Sequence, residues 1–91
     1  MVRARLVIHG RVQGVGFRWF VREAARQHRL AGWVRNRPDG SVELEASGED
    51  AEFREFIAEL RRGPPGARVD EVREETTNQA DSLPNPFMIV R

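Results

Sequence analysis

From Arg3 to Val12 apolar and polar residues alternate. Ala4, Leu6 and Ile8 fall on one side and Arg5, Val7 and His9 on the other, which predicts a strand. The run Gly10-Arg11-Val12-Gln13-Gly14-Val15-Gly16 then places three glycines in seven residues and reads as a loop. Beyond it the period becomes helical. Phe17, Phe20, Val21 and Ala24 share one face, predicting a helix to about His28, with Gly32 expected to end it as a residue tolerant of positive φ. Trp33 to Arg37 is a short strand, Pro38-Asp39-Gly40 a turn, and Ser41 to Ala46 a second alternating strand, so the two form a hairpin. In that hairpin Val42 and Leu44 are expected to point inward and Glu43 and Glu45 outward.

Gly48-Glu49-Asp50 opens a second helix, with acids at its positive end. Phe53, Phe56, Ile57 and Leu60 form its apolar stripe, and Gly63-Pro64-Pro65-Gly66 stops it. Val69 and Val72 mark a polar fourth strand to about Thr77, Asn78 to Pro86 a loop, and Phe87 to Val90 a short terminal strand. The order β-α-β-β-α-β with an appended strand is the split βαβ, or ferredoxin-like, α+β arrangement. One domain over 1–91 is expected, with an antiparallel sheet carrying both helices on one face. The architecture hosts many activities, so it does not specify one.

Composition removes several chemistries. There is no cysteine, which excludes disulfides, thiolate nucleophiles and cysteine zinc sites within these residues and fits the cytoplasm, the expected location. All 15 basic residues are arginine, so Schiff-base lysines are excluded. The N-terminal residues run straight into a strand pattern, so no signal peptide is expected, and no apolar run approaches the roughly 18 residues of a membrane span. The net charge of +1 is unevenly spread. Residues 1–40 carry nine arginines against Glu23 and Asp39, a balance of +7, whereas residues 41–91 carry six arginines against twelve acids, a balance of −6. A basic half suits an anionic partner, although a solvated charged surface is the better account of most of these arginines.

The glycine loop is the first chemical candidate. Without a Cβ at Gly14 and Gly16 the backbone can curl and aim several N–H groups at one point, and such a nest beside a helix N-terminus binds oxyanions. Arg18, in the first helical turn, can complete the cradle with charge-assisted hydrogen bonds. No Walker lysine follows, and the glycine spacing is not that of a dinucleotide site. Asn36 is the second candidate, because asparagine is disfavoured inside strands; a place at a strand end beside the turn would also account for it. His9 and His28 are the only histidines, and two histidines without a matching acid cluster make no metal site. Glu49, Asp50, Glu52, Glu55 and Glu59 read as the solvated face of the second helix.

Taken together, Gly10-Arg11-Val12-Gln13-Gly14-Val15-Gly16-Phe17-Arg18 and the block Gly32-Trp33-Val34-Arg35-Asn36, continuing into Asp39-Gly40-Ser41-Val42-Glu43, resemble the acylphosphatase family. Weaker likeness runs through Phe53, Gly63-Pro64-Pro65 and Phe87-Met88-Ile89-Val90-Arg91. The resemblance implies a small, cytosolic, cofactor-free and metal-free hydrolase of acyl phosphates. It implies that backbone N–H groups of Arg11, Val12, Gln13, Gly14, Val15, Gly16 and Phe17 cradle the phosphate, that Arg18 is the catalytic arginine, and that Asn36 orients water. Inorganic phosphate is then expected as product and inhibitor, a monomer as the working form, and no membrane or nucleic-acid partner. Two departures stand out: Ile89-Val90-Arg91 replaces an aromatic residue nearer the terminus, and Thr76 to Pro86 matches nothing in the pattern.

The chemistry suits so sparse a set of residues. An acyl phosphate releases a carboxylate whose conjugate acid has a pKa of about 4, so the leaving group needs no proton from a general acid. The competing reading is a ferredoxin-like nucleic-acid-binding or regulatory module. RNA readers of this fold stack bases on aromatics of the central strands, and here the first strand offers only His9 and the third none.

Overall fold

The computed structural model describes residues 1–75, 77 and 82–91. The elements are β1 (Val2–Arg11), α1 (Phe17–Gln27), β2 (Ala31–Asn36), β3 (Val42–Gly48), α2 (Asp50–Arg62), β4 (Arg68–Glu75) and β5 (Met88–Ile89). They form one sheet in the order β4-β1-β3-β2-β5. β1 runs antiparallel to β3 and β4, and β2 antiparallel to β3. The appended strand departs from the all-antiparallel expectation: β5 lies parallel to β2, pairing Trp33 with Met88 and Val34 with Ile89, which makes the sheet mixed. Part of the expected 78–86 loop and the end of the expected fourth strand lie outside the described residues.

Alternation in β1 and β3 builds the core. Ala4, Leu6 and Ile8 pair with Ala46, Leu44 and Val42, and all six are buried. The apolar stripes of both helices close over them. Phe17, Val21, Ala24 and Ala25 come from α1 and Phe53, Phe56 and Leu60 from α2. Phe87, fully buried, brings the C-terminal segment into the same core, and its carbonyl accepts a hydrogen bond from Arg26 Nε at 2.9 Å.

Three local expectations are corrected. Gly32 does not end α1. The left-handed position is taken by Arg29 (φ 59°), with Leu30 N–H donating to Ala25 O and Arg29 N–H to Arg26 O. This is the paired-bond pattern of a Schellman cap. Gly32 instead sits within β2, where a Cβ would lie 1.9 Å from Glu45 O, so glycine is demanded there by backbone approach.

Glu43 and Glu45 do lie on the outer face, as their parity requires, but they are buried rather than solvated. Arg3 Nε reaches Glu45 Oε2 at 2.7 Å, Arg5 Nη2 reaches Glu45 Oε1 at 3.3 Å, and Arg35 Nε reaches Glu43 Oε1 at 2.7 Å. Trp33 packs between Arg5 and Arg35, whose guanidinium carbons lie 6.0 and 5.8 Å from its ring centroid. The helix-free face of the sheet is therefore roofed by arginine stems and forks, which snorkel over apolar and ionic neighbours alike.

The acids of α2 are not simply a solvated face either. His28, at the end of α1, directs Nδ1 to Glu52 Oε1 at 2.8 Å and Nε2 to Glu59, and Glu55 Oε2 stands 3.7 Å from Nδ1. Burial alone would push the imidazole pKa down, but hydrogen bonds to Glu52 and Glu59, and then their charges, raise it above the ordinary value. His28 thus bridges Glu52 and Glu59 from the end of the neighbouring helix.

Candidate active site

A cleft of about 240 Å³ opens where β1 feeds α1 and β2 ends. It is lined by Val12, Gln13, Gly14, Gly16, Phe17, Arg18 and Trp19, together with Asn36 and Ile89. The sequence-predicted loop, arginine and asparagine thus meet at one place. Arg11 stays on β1, paired with Arg68, and neither it nor Val15 lines the cleft.

The loop is held at both ends and curled in the middle. Val12 and Phe17 are buried in the core and anchor it. Between them Gly14 (φ 76°) and Gly16 (φ 75°) adopt left-handed backbone with open space where a Cβ would stand. Glycine is therefore required there by conformation rather than by room. Gly16 is also the residue that caps α1, and no side chain bonds the helix N-terminus. The first bond of the helix runs from Phe20 N–H to Gly16 O. The amides of Phe17, Arg18 and Trp19 consequently have no intrahelical acceptor and point out of the helix end, where the macrodipole is positive.

Gln13 is placed differently from the other loop residues. Its Nε2 donates to Arg37 O at 2.8 Å and Ser41 O at 2.9 Å. The side-chain Nε2 therefore clamps the loop to the β2–β3 turn, immediately beyond Asn36. The turn is fixed in turn by Asp39, whose Oδ1 accepts from Ser41 N–H at 2.9 Å and from the Ser41 hydroxyl at 2.5 Å. Those two bonds, the hydroxyl first, hold the Asp39 carboxyl below its usual pKa. Two independent supports thus fix the distance between the loop and the strand end that carries Asn36.

Asn36 is the last residue of β2, paired with Val42. Its Oδ1 is buried and has no protein hydrogen-bond partner among the described residues. A buried acceptor left unmatched costs on the order of 1–3 kcal/mol. Arg18 is half-buried and forms no ion pair with a described carboxylate. Its charge is thus left facing the cleft.

The described residues that line the cleft carry no carboxylate, imidazole or thiol. The donor set that could approach a metal ion is elsewhere, at His28, Glu52 and Glu55, whose ligand atoms lie within 4.8 Å of one another. That corrects the expectation that no acid cluster accompanies a histidine. The group sits at the far end of α1, roughly 16 Å along the helix from the loop at 1.5 Å per residue. Trp19 and Ile89 also line the cleft; Trp19 lies off the apolar stripe of α1 and Ile89 on a two-residue strand, so periodicity nominates neither. Among the described residues no helix is long and apolar enough to cross a membrane.

Fold and cleft define a ferredoxin-like α+β protein with a cleft at its first strand-to-helix turn, lined by a glycine loop, Arg18 and Asn36. Residues 4–89 match the family profile of acylphosphatase. The chain is 44% identical over 83 residues to the acylphosphatase of Bacillus licheniformis, spanning 91% of this chain and 92% of that one. The crystal structure of acylphosphatase from Bacillus subtilis matches it with a TM-score of 0.91 at 37% identity, covering both chains completely. An acylphosphatase structure from Coxiella burnetii matches with a TM-score of 0.86 at 36% identity, over 97% of this chain and 90% of that one. The chain belongs to the acylphosphatase family, hydrolases acting on acid anhydrides.

Proposed function

We propose that this chain hydrolyses the carboxyl–phosphate anhydride bond of acyl phosphates without a metal ion, by direct attack of water on phosphorus. The observation that carries the reading is the convergence of a curled glycine loop, the unpaired Arg18 guanidinium and the unpartnered Asn36 Oδ1 on one cleft. The backbone of Val12, Gln13, Gly14, Gly16 and Phe17, with the first amides of α1, holds the phosphate oxygens, and Arg18 supplies the opposing charge. Asn36, acceptor through Oδ1 and donor through Nδ2, holds a water in line with the bond to be broken.

Phosphoryl transfer passes through a loose, metaphosphate-like state, so positioning and charge stabilisation do most of the catalysis. The water oxygen bonds to phosphorus as the bridging oxygen leaves with its electron pair as a carboxylate. One water proton stays on the new phosphate oxygen, and a non-bridging oxygen of the substrate accepts the other before release to solvent. No protein base is needed, in keeping with a lining that offers none. The fixed amides and the guanidinium are preorganised for the charge of the transferring group, which is where such donors are worth most.

Activity with and without chelator tests the reading. Purified protein in excess EDTA is expected to hydrolyse an aryl acyl phosphate at the rate seen without chelator. An alkyl phosphate monoester, whose alkoxide must be protonated to leave, is expected to react at least about a thousandfold more slowly, given that general acids contribute roughly 10²–10⁴-fold. Activity lost in EDTA and restored by magnesium, or comparable rates on both substrates, would overturn it.

A further inference from the structure

The cleft lining mixes polar groups with apolar side chains. Gly14, Gly16, Arg18 and Asn36 line it together with the large apolar surfaces of Trp19 and Ile89. Trp19 is 58% exposed, while every phenylalanine of the chain is buried or packed against the core. The indole takes no part in that core, and no ring or guanidinium of a described residue packs on it. Trp33, by contrast, is held between two arginines. A fold that buries its other large rings has thus left one indole at the rim of its anion site. It stands on the residue after Arg18, in a helical turn whose position is set by the buried Phe17.

We propose that Trp19, with Ile89 on the same cleft, is the specificity-determining surface for the acyl group, and that it selects acyl phosphates whose acyl part is planar and apolar, an aryl group above all. The inference rests on the acyl-phosphate reading of the same cleft. With the phosphate held by the loop and Arg18, the acyl part extends from it toward solvent, and the exposed Trp19 is a large apolar surface on the same cleft. An indole face offers a flat, apolar contact with little rotamer entropy to lose, so a planar acyl group gains both area burial and ring-on-ring attraction. A two-carbon acyl group is too small to cover the ring. β5 contributes by its parallel seating on β2, which brings Ile89 alongside Val34 and so to the cleft.

The test is a comparison of benzoyl phosphate with acetyl phosphate across the native protein, Trp19→Ala and Trp19→Phe, with inorganic phosphate as competitive inhibitor in each. The native protein is expected to favour benzoyl phosphate. Trp19→Ala is expected to lose roughly tenfold in kcat/KM on benzoyl phosphate, mostly through KM, the scale of one lost aromatic contact. It should lose at most about threefold on acetyl phosphate, with the phosphate inhibition constant barely moved. Trp19→Phe should recover most of the benzoyl preference. Equal losses on both substrates, unrelieved by phenylalanine, would show that Trp19 merely supports the loop and would overturn the proposal. No loss on either substrate, or a ring shielded by self-association in sedimentation runs, would overturn it too. Failure of the native protein to hydrolyse either compound is a different result, and it would remove the acyl-phosphate reading itself.

Discussion

Arg18→Ala is expected to lower kcat/KM on an acyl phosphate by about a thousandfold, with both kcat and phosphate affinity reduced. The guanidinium is half-buried, unpaired by described carboxylates and lines the cleft beside the open amides of α1. In the proposed site it meets the phosphate charge before the reaction as well as during it. Loss of ground-state contact raises KM and the phosphate inhibition constant. Loss of the contact that strengthens as charge shifts lowers kcat, by the 10²–10³-fold typical of one preorganised donor. Arg18→Lys should restore little, because an ammonium cannot present two parallel N–H groups to two phosphate oxygens. Circular dichroism should be unchanged in both variants, since Arg18 belongs to none of the buried stripes. Near-normal inhibition by phosphate in Arg18→Ala would remove the arginine from the site.

Asn36→Ala should fail in another way. Its amide is proposed to touch the water rather than the bound phosphate, so the interaction matures only as the water attacks. We expect kcat to fall by about a hundredfold while KM and phosphate inhibition stay within about twofold. Stability supplies a second readout. Because Oδ1 is buried without a protein partner, removing it deletes an unmet acceptor and leaves no other group orphaned. The variant should accordingly melt no lower than the native chain by more than the small cost of a truncated side chain. A variant that keeps near-normal kcat, or that unfolds, would make Asn36 a structural strand-end residue.

Much of this arrangement was legible in the chain. The alternation from Arg3 to His9 predicts β1, and the period change at Phe17 marks α1 to within a residue or two. Gly14 and Gly16 were readable because only glycine takes those φ values cheaply. What escaped was what depends on partners distant in sequence. Parity predicts that Glu43 and Glu45 face outward, but it cannot say that Arg3, Arg5 and Arg35 close over them from neighbouring strands. Glycine chemistry nominated Gly32 as the helix stop, whereas Arg29 accepts the left-handed position and Gly32 answers to the Glu45 carbonyl. The acids of α2 read as solvated until the end of α1 delivers His28 among them. At the site, local pattern gave the loop, Arg18 and Asn36. The Gln13 clamp and the Ile89 wall come from the hairpin and from a two-residue parallel strand, neither of which a local pattern encodes.

Where the water oxygen ends up tests the account most directly. Hydrolysis of an acyl phosphate in ¹⁸O-enriched water, followed by mass analysis of both products, shows which atom was attacked. Attack on phosphorus by a water held at Asn36 predicts one labelled oxygen in the inorganic phosphate and none in the carboxylate. Label in the carboxylate would mean that water attacks the carbonyl carbon, which neither the loop nor Arg18 is placed to assist, and would contradict the mechanism.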